Sequence, residues 1–304
     1  MSIIRLSGGL GNQLFQVALA IAISKSTGCS VGLDTTLYRL SIHGNSRHLE
    51  VNDFKSEHFY FYDSTPLTTI FGKRILPKKL FNKYIQIITR GKKKQLQMTH
   101  LPIQVEGNTI YDPELDFKTD SYLIGSFTSP EYWGEHAEEV LATVRSLFVG
   151  HFSSLKNCFD TELAIHIRRG DYVTNDKARN FHGICGLGYY IAAVRQMVEV
   201  YPDINSIQIF SDDDSVADEF RKLLESDSRI VRINRNNNAP TALAEMSCSK
   251  YFIGCNSTFS WWASVLNPNR HSTLPSKWFL DPSRIIDIEK FFIGDIQVFE
   301  NDLE

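Results

Sequence analysis

The chain has 304 residues, of which 42% are apolar and 22% charged, and its formal net charge is -3. This composition is typical of a globular protein and excludes a disordered or fibrous chain, and the charge argues against a dedicated nucleic-acid binder. The length predicts two domains, and no run of about 18 apolar residues is long enough to span a membrane. The N-terminus becomes polar too soon for a secretory signal, so we expect a cytoplasmic protein.

The cysteines predict reduced structural thiols and no zinc site, because they form no CxxC pair and lack the spacing of zinc ligands. They are Cys29, Cys158, Cys185, Cys248 and Cys255. Their odd number also fits a cytoplasmic protein better than a disulfide-rich secreted one.

The N-terminal residues predict a strand, a glycine turn, a helix and a second strand, which is how a parallel α/β sheet begins. Residues 2–6 form the strand, Gly8-Gly9-Leu10-Gly11 the turn, residues 12–27 a buried apolar helix and residues 30–34 the second strand.

The glycine turn is a candidate anion site. Backbone N–H groups at Gly9 and Gly11 can approach a ligand closely, and a helix that starts at Asn12 favours negative charge at that end. The alternative is a plain tight turn. A nicotinamide enzyme with Asp34 as its ribose-binding acid is a weaker alternative, because Leu14 occupies the third glycine position of the GxGxxG pattern.

The stretch from about 35 to 150 is less regular and carries a basic segment, residues 73–94. No acidic residue lies between Asp63 and Glu106, and the lysines and arginines of the segment are interleaved with apolar residues. The simpler interpretation is a helical excursion with a solvated basic face. The alternative is a surface for peripheral contact with the anionic inner membrane or with a lipid-diphosphate-linked acceptor.

From about residue 155 strands and helices alternate again. Strands are predicted at 163–167, 206–210, 229–233 and 251–254, and helices at 188–201, 215–225, 241–248 and 258–266. The sequence therefore predicts a second parallel sheet and an α/β fold of two Rossmann-like domains, 1–152 and 153–304, with a cleft between them.

Two adjacent arginines follow the strand at 163–167, in the motif His166-Ile167-Arg168-Arg169-Gly170-Asp171-Tyr172. A guanidinium binds phosphate oxygens through two parallel hydrogen bonds, and packing alone does not explain two arginines at a strand end. The alternative is an internal ion pair with Asp171 or with an acid elsewhere. His166 alone fits a hydrogen-bonded core histidine equally well.

Three aspartates, Asp212-Asp213-Asp214, follow the strand at 206–210. The Asp-x-Asp arrangement is suited to a divalent metal on a nucleotide diphosphate. The alternative is that Asp213 or Asp214 caps the next helix. The remaining carboxylates would then bind ribose hydroxyls or an arginine.

A hydroxyl-rich motif, Asn256-Ser257-Thr258-Phe259-Ser260-Trp261-Trp262, lies between an apolar strand and a helix. Hydroxyls and unpaired N–H groups at a helix start form a phosphate-binding nest. The alternative is Ser257 as a plain N-cap. The two tryptophans are predicted to belong to the core.

Together these motifs resemble those of the bacterial α-1,2-fucosyltransferases, glycosyltransferase family 11. The resemblance is carried, in chain order, by Gly8-Gly9-Leu10-Gly11-Asn12-Gln13-Leu14-Phe15-Gln16, His166-Ile167-Arg168-Arg169-Gly170-Asp171-Tyr172, Phe210-Ser211-Asp212-Asp213 and Asn256-Ser257-Thr258-Phe259-Ser260-Trp261-Trp262. It extends from residue 2 to about 280.

The resemblance implies a GT-B architecture and an inverting transfer of L-fucose from GDP-fucose to the 2-hydroxyl of a terminal β-galactoside in O-antigen synthesis. It implies no metal and no cofactor. The expected catalytic residues are Arg168, which would hold the β-phosphate, Arg169 and Asp171. The expected donor-binding residues are Gly9, Gly11, Asn12, His166, Arg168, Asp212, Glu245, Asn256, Ser257, Thr258 and Phe259.

One position departs from the family pattern. Relatives carry an acid that meets the guanine edge where this chain has Ala242, and Glu245, one helical turn later, is the expected replacement. Asp171 is a candidate base, although it would equally serve to lock an arginine. Two other functions stay open: a metal-dependent GT-A glycosyltransferase that uses Asp212-x-Asp214, and a non-catalytic sugar-nucleotide-binding protein.

Overall fold

The structure is a computed structural model, and its contacts divide the chain into two compact units, Met1–Leu147 (unit 1) and Phe148–Glu304 (unit 2). The structure describes residues 2–39, 48–62, 101, 103–106, 111–154, 162–170, 173, 176–224, 229–235, 238–266, 271–280 and 286–303. The basic segment 73–94 and Asp171 lie outside these described residues.

Unit 1 is built on a parallel sheet. Its elements are β1 (Ile3–Arg5), α1 (Leu10–Thr27), β2 (Val31–Asp34), α2 (Thr36–Arg39), β3 (Phe59–Tyr62), β4 (Ile103–Val105), β5 (Tyr122–Ile124), a 3-10 helix (Pro130–His136) and α3 (Ala137–Leu147). Within the described residues, the strands pair in the order β3-β2-β1-β5-β4, and every pair is parallel.

Helix α1 packs against this sheet and is buried on almost every side, as its sequence predicts. It begins directly after Gly9, which supplies no side-chain cap, and it ends at Gly28, whose φ of +71° lies in the left-handed region that favours glycine. Each fully buried side chain such as Leu14 or Phe15 contributes about 1.5–3 kcal/mol. The apolar helix therefore anchors the glycine turn at the carboxyl end of β1.

Unit 2 contains the second parallel sheet. Its elements are α4 (Val149–Ser154), β6 (Leu163–Ile167), α5 (Asp176–His182), α6 (Leu187–Val200), β7 (Ser206–Ser211), α7 (Asp214–Leu223), β8 (Ile230–Asn234), α8 (Ala239–Cys248), β9 (Tyr251–Ile253), α9 (Thr258–Leu266), β10 (His271–Pro275), α10 (Ile288–Phe291) and β11 (Ile296–Phe299). The strand order is β11-β10-β9-β6-β7-β8, again parallel where described. The domain boundary expected at 152/153 lies inside α4.

The two parallel-sheet units confirm the predicted α/β fold class with two Rossmann-like domains, as expected for the GT-B type. The four strands predicted for the second sheet are present, and β10 and β11 extend it beyond them. Strand β6 lies in the interior of that sheet and is fully buried, so its carboxyl end emerges between the ends of β7 and β9. Across the described ranges, no helix is both long and apolar enough to cross a bilayer.

Candidate active site

Arg168 leaves the end of β6 and pairs with an acid on the neighbouring strand exit. The register aligns Ile167 with Ser211, so Asp212 comes directly beside Arg168. Arg168 Nη1 lies 2.5 Å from Asp212 Oδ2, and the two side chains are 21% and 27% exposed. The internal ion pair considered from the sequence is thus present, with Asp212 as the acid, and Arg168 still reaches solvent.

The loop after Arg168 is held by the same carboxylate. Asp212 Oδ1 accepts hydrogen bonds from the backbone N–H of Arg169 at 2.8 Å and of Gly170 at 3.2 Å. Gly170 has a φ of +28°, and a Cβ there would overlap Asp212 Oδ2 and lie 3.1 Å from the guanidinium carbon of Arg168. The close approach of backbone, carboxylate and guanidinium therefore requires glycine at this position.

Asp213 and Asp214, which follow Asp212, form contacts at the start of the next helix, α7. Asp213 is the N-cap of α7, because its Oδ1 accepts from the backbone N–H of Ser215 and of Val216. Asp214 forms an exposed ion pair with Arg235 at 2.5 Å. The cap considered from the sequence is confirmed at Asp213. Among the described residues, no group of three or more His, Cys, Asp or Glu side chains is arranged to hold a metal ion.

His166 is buried inside the second sheet and belongs to a small polar cluster. Its Nδ1 lies 2.7 Å from Ser260 Oγ, and the same hydroxyl accepts from the backbone N–H of Cys255 at 3.0 Å. Burial lowers the pKa of His166 to about 4; Asp212 opposes this shift and Arg168 adds to it. The ring is therefore neutral near pH 7. It packs against Phe259, with 5.3 Å between ring centroids.

The start of α9 joins this cluster. Ser257 is its N-cap, since Ser257 Oγ accepts from the backbone N–H of Phe259 at 3.3 Å. Thr258 and Phe259 are half-buried in the first turn, whereas Trp261 and Trp262 are fully buried, as predicted. A helix N-terminus carries partial positive charge, so the first turn is suited to a phosphate.

Asn256, which is expected to bind the donor, makes the hydrogen bonds of its amide nitrogen inside the protein. Its side chain is buried, and its amide nitrogen donates to the carbonyl groups of His182 at 2.8 Å, Gly183 at 3.3 Å and Trp278 at 3.2 Å. Asn256 thus ties the α9 entry to two neighbouring segments. Its amide hydrogens are engaged within the protein.

Glu245 lies on α8 at the end of β8. Its Oε2 accepts a hydrogen bond from Asn234 Nδ2 at 2.5 Å, and the side chain is half-buried. Ala242 is also half-buried on α8, and positions i and i+3 share a face of a helix. The carboxylate is therefore located beside Ala242, the position at which the family resemblance predicts an acid.

Arg169 has a buried nitrogen, Nε, in its side chain. This nitrogen makes no hydrogen bond to any described residue. A buried donor without a partner costs about 1–3 kcal/mol, which is unusual unless a ligand or water meets it. Arg169 thus stays a candidate for ligand contact.

In unit 1, the glycine turn is held by Gln13, which is not among the predicted site residues. Gln13 Nε2 donates to the carbonyl groups of Gly8 and His48, and Gln13 Oε1 accepts from the N–H of Glu50. Gly8 has a φ of +80°, and a Cβ there would lie 2.6 Å from the amide nitrogen of Asn12. Asn12 is half-buried over the turn, beside Gly9 and Gly11.

Asp34 is fully buried and occupied by its neighbours. Its carboxylate accepts from the Tyr122 hydroxyl and from the backbone N–H of Thr36, and burial raises its pKa. A ribose-binding acid must be reachable by the ligand, so this position does not support a nicotinamide enzyme.

The comparison with known families decides the class. The family model described as glycosyl transferase family 11 matches residues 1–289. The chain belongs to glycosyltransferase family 11. It is 30% identical to an α-1,2-colitosyltransferase of Escherichia coli, over 92% of this chain and 93% of that protein. It is 28% identical to the O-antigen biosynthesis glycosyltransferase WbnK of Escherichia coli, over 90% and 93%.

A solved structure is also similar to this family 11 glycosyltransferase. The crystal structure of the NodZ α-1,6-fucosyltransferase co-crystallized with GDP is 15% identical and covers 88% of this chain and 92% of that one, with a TM-score of 0.48. At this identity and TM-score, no residue role passes from one chain to the other.

The structure of this glycosyltransferase brings some of the expected residues together. In unit 2, Arg168 contacts Asp212, and His166 contacts Phe259 at the start of α9. Ser260 and Gly170 lie within the family motifs but are not among the predicted site residues. Their importance depends on contacts between distant segments, such as Ser260 with His166, which motif spacing does not show.

Proposed function

We propose that this glycosyltransferase transfers L-fucose from GDP-fucose to the 2-hydroxyl of a terminal β-galactoside, with inversion, without a metal, in O-antigen synthesis. The observation that carries the proposal is Arg168, held by Asp212 at the carboxyl end of β6 and partly exposed. The family supports glycosyl transfer, one relative's name supports an α-1,2 linkage, and the other relative's name supports a place in O-antigen synthesis.

The chemistry gives Arg168 its role. The acceptor oxygen forms a bond to the anomeric carbon as the bond from that carbon to the β-phosphate oxygen breaks, and GDP leaves with the electron pair. Positive charge develops on the sugar and negative charge on the diphosphate. A guanidinium held in a fixed orientation stabilises that negative charge without reorganisation. Electrostatic stabilisation of this kind is usually the largest contribution to catalysis.

The surroundings of Arg168 fit this role. His166 is neutral, so it adds no competing charge, and the first turn of α9 contributes the partial positive charge of a helix N-terminus. Asp212 and Asp214 each have an arginine partner, which supports phosphate binding by guanidinium in place of an Asp-x-Asp metal site. The proton of the acceptor hydroxyl passes to a base, for which Asp171 is our candidate.

A second donor is favoured by one relative. The α-1,2-colitosyltransferase is 30% identical to this chain, and colitose is the 3-deoxy analogue of fucose. A site that hydrogen-bonds the 3-hydroxyl of fucose discriminates strongly against a donor that lacks it. The ratio of kcat/KM for GDP-fucose and GDP-colitose therefore distinguishes the two donors.

The test is incubation of the protein with each donor and a panel of β-galactosides in the presence of a chelator, with products identified by mass and linkage. We expect a product α-linked to the 2-hydroxyl of galactose and full activity in the chelator. Loss of activity that only added metal restores would contradict the metal-independent mechanism. Absence of GDP binding in calorimetry would overturn the donor assignment.

Contact with a membrane is a separate part of the proposal. The basic segment 73–94 carries nine lysines and arginines interleaved with apolar residues, which are Lys73, Arg74, Lys78, Lys79, Lys83, Arg90, Lys92, Lys93 and Lys94. Such a segment is suited to an anionic bilayer that carries a lipid-diphosphate-linked acceptor. Co-sedimentation with anionic vesicles at low salt is the expected result, and no pelleting there would refute the contact.

A further inference from the structure

The strand order of unit 1 identifies a second place where a ligand would bind. The chain runs from β1 to β2 and β3 on one side, and then returns to β4 and β5 on the other side of β1. The topological switch point therefore lies between β1 and β5. In parallel α/β sheets, ligands bind outside the carboxyl ends of the strands at this point. The segment that leaves β5 there is residues 125–129, the β5 exit loop.

The β5 exit loop is fixed by a carboxylate from the neighbouring strand. Glu106 follows β4, and its Oε2 accepts from the backbone N–H of Ser126 at 2.7 Å and of Phe127 at 3.0 Å. Its Oε1 accepts from the Tyr132 hydroxyl at 3.0 Å. Charge-assisted hydrogen bonds of this kind are about twice as strong as neutral ones. The loop backbone is therefore held in one conformation.

A glutamine of α1 joins the exits of β1 and β5. Gln16 Nε2 donates to the Gly125 carbonyl at 2.8 Å and to Ser7 Oγ at 3.0 Å, while Gln16 Oε1 accepts from the Ser7 N–H at 3.0 Å. Gly125 has no space for a side chain, because a Cβ would lie 2.5 Å from Glu106 Cβ and 2.8 Å from the Phe127 ring. Both strand exits at the switch point are thus locked to each other.

Phe127 adds backbone strain at this place. It is the one non-glycine residue with positive φ, +51°, among those the structure describes, and its ring is fully buried against Tyr132. A residue in this region costs about 1–3 kcal/mol, and such strain concentrates at functional sites. The conformation buries Phe127 and leaves Ser126 and Thr128 half-exposed on either side of it.

The two half-exposed hydroxyls have no hydrogen-bond partner among the residues that the structure describes. Neither Ser126 Oγ nor Thr128 Oγ1 makes a hydrogen bond within the described part of the chain, whereas the buried Ser129 Oγ accepts from the Glu131 N–H. A rigid backbone that presents two unoccupied hydroxyls is suited to a ligand rich in hydroxyl groups. Each can both donate to and accept from a sugar.

We propose that Ser126 and Thr128 bind the acceptor sugar, a neutral hexose, and that Glu106 and Gln16 are positioning residues for this loop. The inference rests on the proposed function, because a transferase requires an acceptor site. Arg168 and the first turn of α9, which are proposed to meet the diphosphate, belong to unit 2, whereas the β5 exit loop of unit 1 presents neutral hydroxyls that match a neutral substrate. Specificity carried by a loop on a rigid frame is the common arrangement in α/β enzymes.

The test is the S126A/T128A double variant in steady-state kinetics, with Thr143→Ala, at a half-buried threonine of α3, as the control. Two lost hydrogen bonds predict an acceptor KM that rises about tenfold or more, with donor KM and the GDP dissociation constant unchanged. Thr143→Ala should match the wild type. An unchanged acceptor KM, or an equal rise in donor KM, would overturn the proposal.

A second variant tests positioning. Glu106→Gln keeps the shape of the side chain but removes its charge, so acceptor KM should rise while GDP affinity stays constant. A fall in melting temperature with unchanged acceptor KM would show a merely structural role. If fucose is not the sugar transferred, the same comparison is made with the donor and acceptor pair that the wild type uses. Failure of this site and failure of the proposed function are therefore distinguishable.

Discussion

Asp212 holds Arg168 through one carboxylate oxygen and the backbone after it through the other. Oδ2 lies 2.5 Å from Arg168 Nη1, and Oδ1 accepts from the N–H groups of Arg169 and Gly170. Both side chains are partly exposed, so the net stability of such a pair is small. Its main effect is geometric, because it holds Arg168 Nη1 at the end of β6.

Replacement of Arg168 should affect turnover more than stability. Arg168→Ala is expected to lower kcat at least about a hundredfold, since it removes a fixed charge from the departing diphosphate. Arg168→Lys should not restore it, because a point charge cannot replace the planar guanidinium. Arg235→Ala is the matched control, since its ion pair with Asp214 is exposed. Turnover near that of the wild type in either Arg168 variant would contradict the assignment.

Gly170 offers a test of the ion pair without a change of charge. A Cβ at Gly170 overlaps Asp212 Oδ2, so Gly170→Ala should separate Asp212 from Arg168 and lower kcat at least about tenfold. Gly188→Ala on α6 is the control, because a Cβ there meets nothing within 4 Å and alanine is favoured in a helix. Equal kinetics in the two variants would show that the loop adjusts freely.

The strand ends and their polar motifs could be predicted from the sequence because both depend on local pattern. The four predicted strands of unit 2 and the first turn of α9 follow from apolar runs and their polar boundaries. The sequence does not predict β10, since His271–Pro275 is short, partly polar and ends in proline. The predicted class of fold was nevertheless correct, because alternation of strands and helices determines it.

The roles of individual polar residues were harder to predict, because their partners lie far away in the chain. Gln16 contacts Gly125, and His166 contacts Ser260. Asn256 is part of a motif that is expected to bind the donor, yet its amide nitrogen donates to three backbone carbonyl groups. Sequence spacing identifies which residues stand at a strand end, whereas tertiary packing determines which of them still have a free polar group.

His166 should make stability depend on pH. Its folded-state pKa, about 4, lies below the unfolded value of about 6.5, so the unfolded chain binds more protons between these values. The contribution is complete above about pH 6.5 and is lost as the pH falls towards 4, by at most about 1.4 kcal/mol per pH unit. Urea unfolding at pH 7 and pH 5 should show a larger loss for the wild type than for His166→Asn. Equal losses in the two proteins would refute a buried neutral ring.

Glu245 is the residue expected to read guanine, since Ala242 cannot. A carboxylate accepts two hydrogen bonds from the N1–H and 2-amino group of guanine, and adenine offers no such pair. Glu245→Ala should therefore weaken GDP about tenfold or more and reduce the preference for GDP over ADP in calorimetry. Asn234, which donates to Glu245, helps to orient the carboxylate.

The companion variant moves the acid back by one helical turn. Ala242→Asp in the Glu245→Ala background should recover part of the GDP preference, because the two positions share a face of α8. Glu219→Ala on the exposed side of α7 is the charge-matched control and should bind GDP as the wild type does. A GDP-to-ADP ratio that stays at the wild-type value in Glu245→Ala would mean that another group reads the base. Recovery in the double variant would instead show that the acid has changed its position on α8 while keeping its role.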